Sequence, residues 1–149
     1  MIRLLPATPE IARAVVSGQG PIPVEHLPDW PHEDTVDALR PLADHPDLTG
    51  EGTFLVVEDG LVVGECGWSG PPVDGEVLVG YGVARSARGR GVGTEAVRQL
   101  LAWVQAQGAR SVRAEVLPGN EASLRLLARL GFREAGVRDG HRQLVWAHG

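Results

Sequence analysis

The stretch SARGRGVGTEA, residues 86–96, packs three glycines and two arginines into eleven residues. Glycines at 89, 91 and 93 clear side chains from one face of the backbone, so N–H groups can come close to a bulky ligand. Thr94 to Gln107 follows with Val97, Leu100, Leu101 and Val104 at helical spacing and Gly108 as a stop, which predicts a helix. A glycine turn that opens a helix is an anion site, because unpaired N–H groups and the positive end of the helix dipole point the same way.

Outward from this turn, GEVLVGYGVA (75–84) and SVRAEVL (111–117) read as strands. Residues 77–117 then form a strand, helix, strand unit, a crossover that is normally parallel and right-handed. PGNEASLRLLARLGF (118–132) predicts a helix capped by Asn120 and stopped by Gly131, and REAGV and RQLVWA close as a hairpin around RDG. On the N-terminal side, MIRLLPAT predicts an edge strand and PEIARAVVSG a short helix. QGPIPVEHLPDWPHED is an irregular excursion rich in proline, and a second helix is expected over Thr35 to Leu42. TFLVVED and LVVGECGW flank Asp59-Gly60, a strong hairpin signal. The expected fold is mixed α/β (α+β), with a central twisted mixed sheet of about six to seven strands and helices on both faces.

A chain of 149 residues with 43% hydrophobic composition is one ordinary domain and buries about 70% of its unfolded surface. The one cysteine, Cys66, allows no internal disulfide. Met1 leads straight into a strand, and no run approaches a membrane span, so a soluble cytoplasmic protein with no membrane partner is expected. Lysine is absent, which excludes a Walker A phosphate loop; a GC-rich coding bias is the bland account of it. Charge is divided along the chain: residues 1–84 carry 14 acids and three arginines, whereas residues 85–149 carry 11 arginines and five acids. The basic residues are scattered over helices and strands with little aromatic interleaving, and the acidic half repels a polyanion. Nucleic acid is therefore not the expected partner. A compact polyanion bound at the C-terminal half fits better.

A dinucleotide is the first candidate anion. The glycine pattern fails it, because Gly89 and Gly91 are followed by Thr94, and ARSAR separates the turn from its strand. Written as arginine, two residues, glycine, one residue, glycine, Arg88 to Gly93 instead resembles the pyrophosphate loop of the GNAT superfamily of acyl-CoA N-acyltransferases. VLVGYGVARSARGRGVGTEAV and NEASLRLLARLGF are similar to the two core motifs of that family, in the same order and spacing. With the N-terminal strand and helix, the resemblance covers nearly the whole chain.

The resemblance implies a sheet with a splayed parallel pair and acetyl-CoA as co-substrate, with no metal. It implies that the amides of Val83 and Arg85, flanking Ala84, meet the pantetheine arm. Those of Gly91, Val92, Gly93 and Thr94 meet the pyrophosphate, with Arg88 nearby, Gly89 within the loop, and Arg90 as a flexible surface charge. Asn120 is a simple N-cap on its own chemistry; the resemblance adds a bond to the pantetheine carbonyls. The implied reaction is direct transfer of acetyl to a primary amine of a small molecule or of a peptide or protein N-terminus. An alkylamine with a pKa near 10.4 is almost wholly protonated at pH 7, so a base is needed. The oxyanion needs a donor, for which a backbone N–H near Gly82 or Val83 is the candidate.

The chain departs from the family's commoner pattern at two places. Leu127 stands where many members carry a tyrosine that protonates the thiolate. Asparagine with Ser123 three residues on, and leucine at 127, is similar instead to the subgroup that acetylates ribosomal-protein N-termini, in which Ser123 would be the acid. Leu78 stands where a carboxylate is often found, leaving Glu76 and Glu65 as candidate bases, each otherwise a solvated strand residue. His141 reads as a surface histidine, Cys66 as a small buried hydrophobe, and the four tryptophans as packing residues, with Trp68 the one expected to border the acceptor pocket.

The N-terminal half (1–84) is expected to build the acceptor side and the C-terminal half (85–149) to grip CoA. Glu25, Asp29, Glu33, Asp34 and Asp37 are then placed to draw a cationic amine, and the segment 21–34 to rim the pocket. A monomer or homodimer is compatible with the chain. The alternative from another class is a non-catalytic acyl-CoA-binding sensor, motivated by Leu127 and by the unassigned base.

Overall fold

The computed structural model describes residues 1–45 and 52–147. The N-terminal elements are β1 (Ile2–Pro6), α1 (Pro9–Ser17) and α2 (Glu33–Asp44). The strands β2 (Thr53–Glu58), β3 (Leu61–Trp68) and β4 (Glu76–Val83) follow. A short 3-10 turn at Arg85–Ala87 then leads into α3 (Val92–Ala106). The chain closes with β5 (Ser111–Val116), α4 (Glu121–Arg129), β6 (Arg133–Arg138) and β7 (His141–Ala147).

Local chemistry sets most of these boundaries. Thr8 accepts the Ile11 N–H at 3.2 Å, Pro9 opens α1, and Gly18 ends it at φ +65°. Asp59 (φ +52°) and Gly60 (φ +82°) both take the left-handed conformation that a two-residue hairpin of the right twist requires. Helix α3 begins at Val92, two residues before the expected Thr94, because Gly91 (φ +83°) already makes the turn and its carbonyl accepts the Glu95 N–H. Helix α2 likewise starts earlier than Thr35, at Glu33, and runs on to Asp44.

The seven strands form one sheet in the order β1-β2-β3-β4-β5-β7-β6, with β1 at an edge as expected. Every pairing is antiparallel except β4 with β5. Alternation along the strands separates two layers. Phe54, Val56, Cys66, Val77, Val79 and Val83 pack with Val97, Leu100 and Val104 of α3 and Leu127 of α4. Leu55, Val57 and Val62 pack on the other face, with Ile11 and Val15 of α1, Leu39 and Leu42 of α2, and Trp30. Fully burying a valine or leucine is worth about 1.5–3 kcal/mol, so the six buried positions of α3 hold the glycine turn firmly against the sheet.

Candidate active site

The parallel pair is short. Its register runs from Glu76 opposite Ser111 to Val79 opposite Ala114, and there it ends. The last four residues of β4, Gly80 to Val83, stay paired with β3 while β5 turns to pair only with β7. A gap opens between two central strands. Ser69 N–H donates to Leu78 O and Ala84 N–H donates to Val63 O, both at 2.8 Å, so even-numbered residues of β4 spend their backbone groups on the β3 side. By alternation, the groups of Tyr81 and Val83 face the gap. This singles out Val83, rather than Gly82, as the N–H aimed into it.

At the mouth of the gap stands the glycine turn. Gly91 caps α3, leaving the amides of Val92, Gly93 and Thr94 in the first helical turn without helical partners. Gly93 packs tightly: a Cβ there would lie 2.9 Å from Leu126 Cδ1. Arg88 Nε donates to Val83 O at 3.0 Å, folding the turn back on β4. Arg90 differs from the expected flexible surface charge, for its guanidinium pairs with Glu58 on β2. The turn is also held from the far side, because the Asp29 carboxylate accepts Ser86 N–H at 2.9 Å and Ser86 Oγ–H at 2.7 Å. These two bonds hold the Asp29 carboxyl below the usual carboxylate range. Asp29 is thus a brace, not an unengaged rim charge.

On the α1/α2 face, Glu65 of β3 lies directly across from Gly82 of β4. Its side chain is only 4% exposed. Oε1 accepts Thr35 Oγ1–H at 2.7 Å and Trp30 Nε1–H at 3.0 Å, and His32 Nε2 stands 3.8 Å away. Oε2 reaches over Gly82, inside the space that a Cβ would fill there, and His32 Cε1 lies 3.2 Å from the same point. Burial raises the Glu65 pKa, outweighing the Thr35 hydrogen bond, His32 and the Trp30 hydrogen bond, which lower it. Beside this group is an open cleft of about 370 Å³ lined by Asp29, His32, Glu33, Asp34, Arg85 and Arg88.

On the opposite face, the Tyr81 hydroxyl is hydrogen-bonded to Ser123 Oγ in the first turn of α4. Asn120 caps this helix by accepting Ser123 N–H at 3.2 Å, the role its position predicts. Leu127, one turn beyond Ser123, is wholly buried in hydrocarbon.

The remaining residues singled out in the sequence lie elsewhere. Glu76 starts β4, six residues and about 20 Å of strand from Gly82, and pairs with Arg113 at 3.5 Å. It does not share a site with Glu65. Trp68, expected at the acceptor pocket, instead packs edge-on against Trp103 of α3 at 4.6 Å on the other face. Cys66 is buried, and desolvation pushes its thiol up to about 12, so it stays a neutral hydrophobe. His141 opens β7, half-buried, with its carbonyl accepting Gln143 Nε2–H at 3.2 Å. Sequence reasoning missed Trp30, His32 and Thr35 around Glu65, and Tyr81 beside Ser123. The one signal available was the proximity of Trp30, His32 and Thr35 to one another in the chain.

A splayed parallel pair, a glycine turn on a helix N-terminus and a buried carboxyl at the splay define an acyl-CoA-dependent transferase fold. A family described as acetyltransferase (GNAT) domain matches residues 2–133, and the chain belongs to it. Over 98 residues the chain is 31% identical to the N-acetyltransferase p20 of Bacillus licheniformis, itself uncharacterised. That match takes in 61% of this chain and 55% of the relative's length. Among solved structures, yncA from Salmonella typhimurium, solved with its cofactor acetyl-CoA, superposes with a TM-score of 0.66 at 19% identity, covering 98% of this chain and 93% of that one. Ribosomal-protein-alanine N-acetyltransferase from Brucella melitensis gives 0.67 at 20% identity over 99% of both. At these identities the likeness is one of fold. Among the described residues, no helix is long and apolar enough to cross a membrane.

Proposed function

We propose that this protein transfers an acetyl group from acetyl-CoA to a primary amine, of a small molecule or of a peptide or protein N-terminus, by direct attack in a ternary complex. The observation that carries this is the gap beside Gly80 to Val83, which leads from the glycine turn to Glu65 on one face and to Ser123 on the other. The C-terminal half (85–149) grips CoA and the N-terminal half (1–84) the amine, within one domain.

The amides of Val92, Gly93 and Thr94, with Gly91 and Arg88 beside them, hold the pyrophosphate at the positive end of α3. Each charge so placed is worth about 0.3–1 kcal/mol. The pantetheine arm lies in the gap beside the backbone of Tyr81 and Val83, the Val83 carbonyl being already held by Arg88, with Asn120 nearby. Glu65 is the base. Its raised pKa brings it nearer the working pH, where proton transfer is most efficient, and its Oε2 is the oxygen not already engaged by Trp30 and Thr35. As the C–N bond forms, the Val83 N–H receives the oxyanion. As the C–S bond breaks, Ser123 gives its proton to the thiolate.

Thiol release from acetyl-CoA, measured against polyamines, aminoglycosides, free amino acids and peptides with free N-termini, tests this reading. Turnover with one class is the expected result. CoA binding with no acetylation of any amine would favour a non-catalytic sensor and overturn it.

A further inference from the structure

Ser123 by itself is a poor acid for this task. An aliphatic hydroxyl is about as weak an acid as bulk water, far weaker than a departing thiol with a pKa of about 8.5. Proton transfer from an isolated serine therefore runs steeply uphill. A phenol, at about 10, closes most of that gap. Leu127, on the next turn of α4, is a buried hydrocarbon and supplies no proton. The phenol of Tyr81, coming from the strand instead of the helix, does reach Ser123 Oγ.

We infer that Tyr81 is a positioning and proton-supplying residue that acts through Ser123. The Ser123 O–H bond breaks as the S–H bond forms, and the Tyr81 O–H bond breaks as the Ser123 O–H bond re-forms. The tyrosinate then takes back from water one proton, balancing the one lost by the amine nitrogen on becoming an amide. Two further features fit. Tyr81 shares its sheet face with Val83 and with the core under α3 and α4, opposite the face of Gly82 and Glu65. Acid and base are thus on opposite sides of one strand. The first turn of α3 lies beside the phenol ring, where a Cβ on Gly93 would stand in ordinary contact, at 3.9 Å, with Tyr81 Cε2.

This inference rests on the reading of Ser123 as the acid, and the test separates the two. Thiol release from acetyl-CoA is followed with the best acceptor of the panel, or to water without one, for Tyr81→Phe, Ser123→Ala and the double variant. Each single change is expected to lower kcat about 10²-fold with the KM for acetyl-CoA within about twofold, and the double variant to be no slower than the slower single one. A Tyr81→Phe enzyme at full kcat, or a double variant whose loss is the product of the two, overturns the relay. Loss in Ser123→Ala alone keeps the serine and removes Tyr81; full activity in Ser123→Ala removes both. Tyr81 is the only tyrosine in the chain. 3-Fluorotyrosine supplied during expression therefore replaces it alone, keeping the hydrogen bond while making the phenol more acidic. A raised kcat is expected, and an unchanged one overturns the relay even where Tyr81→Phe fails to fold.

Discussion

The carboxyl of Glu65 occupies the space that a side chain on Gly82 would need: an added Cβ would lie inside van der Waals contact of Oε2. The glycine at 82 and the acid at 65 are therefore one feature of the site, written on two strands.

Gly82→Ala is accordingly expected to push the Glu65 carboxyl off its station. Overpacking of this kind costs about 1–3 kcal/mol, and kcat should fall at least about tenfold. Thermal melting and thiol-release kinetics on the same preparation check both. Retention of full kcat would show that the carboxyl position is irrelevant to turnover.

Glu65→Gln should change stability in a pH-dependent way. The folded pKa of Glu65 is raised above its unfolded value. Its neutral form is therefore favoured by folding, and that contribution is complete below the unfolded pKa, near 4.5, and is lost as pH rises through the folded value. The glutamine variant keeps an acceptor for Trp30 and Thr35 and escapes the loss, so its melting temperature should gain on the native protein's as pH rises from 4 to 7. In kinetics, the acid limb of kcat/KM should vanish with it.

Removing the indole N–H by Trp30→Phe should move that acid limb the other way. The Trp30 hydrogen bond lowers the Glu65 pKa, so its loss raises it and shifts the limb to higher pH. A pH profile of kcat/KM for the variant checks the direction of movement.

Asp29→Asn weakens both bonds of the brace between the segment before α2 and the turn after β4, whereas Ser86→Ala removes the Oγ–H bond and leaves the N–H one. Both should raise the KM for acetyl-CoA, Asp29→Asn by the larger factor, and the double variant should do little more than Asp29→Asn alone. If Asp29 served only to attract the amine, the effect would appear in the amine KM and Ser86→Ala would be silent.

Gly91→Ala places a side chain at φ +83°, a conformation costing an L-residue about 1–2 kcal/mol. Weaker CoA binding, read by calorimetry, is the expected outcome, with the acceptor dependence unchanged.

What could be read in the sequence was what short-range chemistry writes. The glycine turn, the Asn120 cap and the Asp59-Gly60 hairpin each declare themselves within a few residues, and together they mark out the strands and the glycine loop before α3. The surroundings of Glu65 do not. Thr35 and Trp30 reach it across 30 and 35 residues, and Tyr81 reaches Ser123 across 42. Period-two alternation says which residues share a face but not which face a given helix covers, so Trp68 is the tryptophan expected at the acceptor pocket, whereas α3 covers its face and Trp30, on the side of α1 and α2, is the one that reaches Glu65. Glu76 and Glu65 both stand as candidate bases in the sequence for the same reason, and only the register separates them, putting Glu65 opposite Gly82 and Glu76 beside Arg113.

The splay between β4 and β5 bares the ends of both strands inside the sheet, in addition to the two outer edges of an ordinary open sheet. There, in the interior, backbone groups that a protein normally hides or blunts face a gap that an extended guest can fill. A molecule with alternating amide groups can sit there as a strand that belongs to no chain. A guest that binds only the folded sheet adds its binding free energy to the cohesion of the fold, so the two halves of the sheet are held more firmly as its concentration rises.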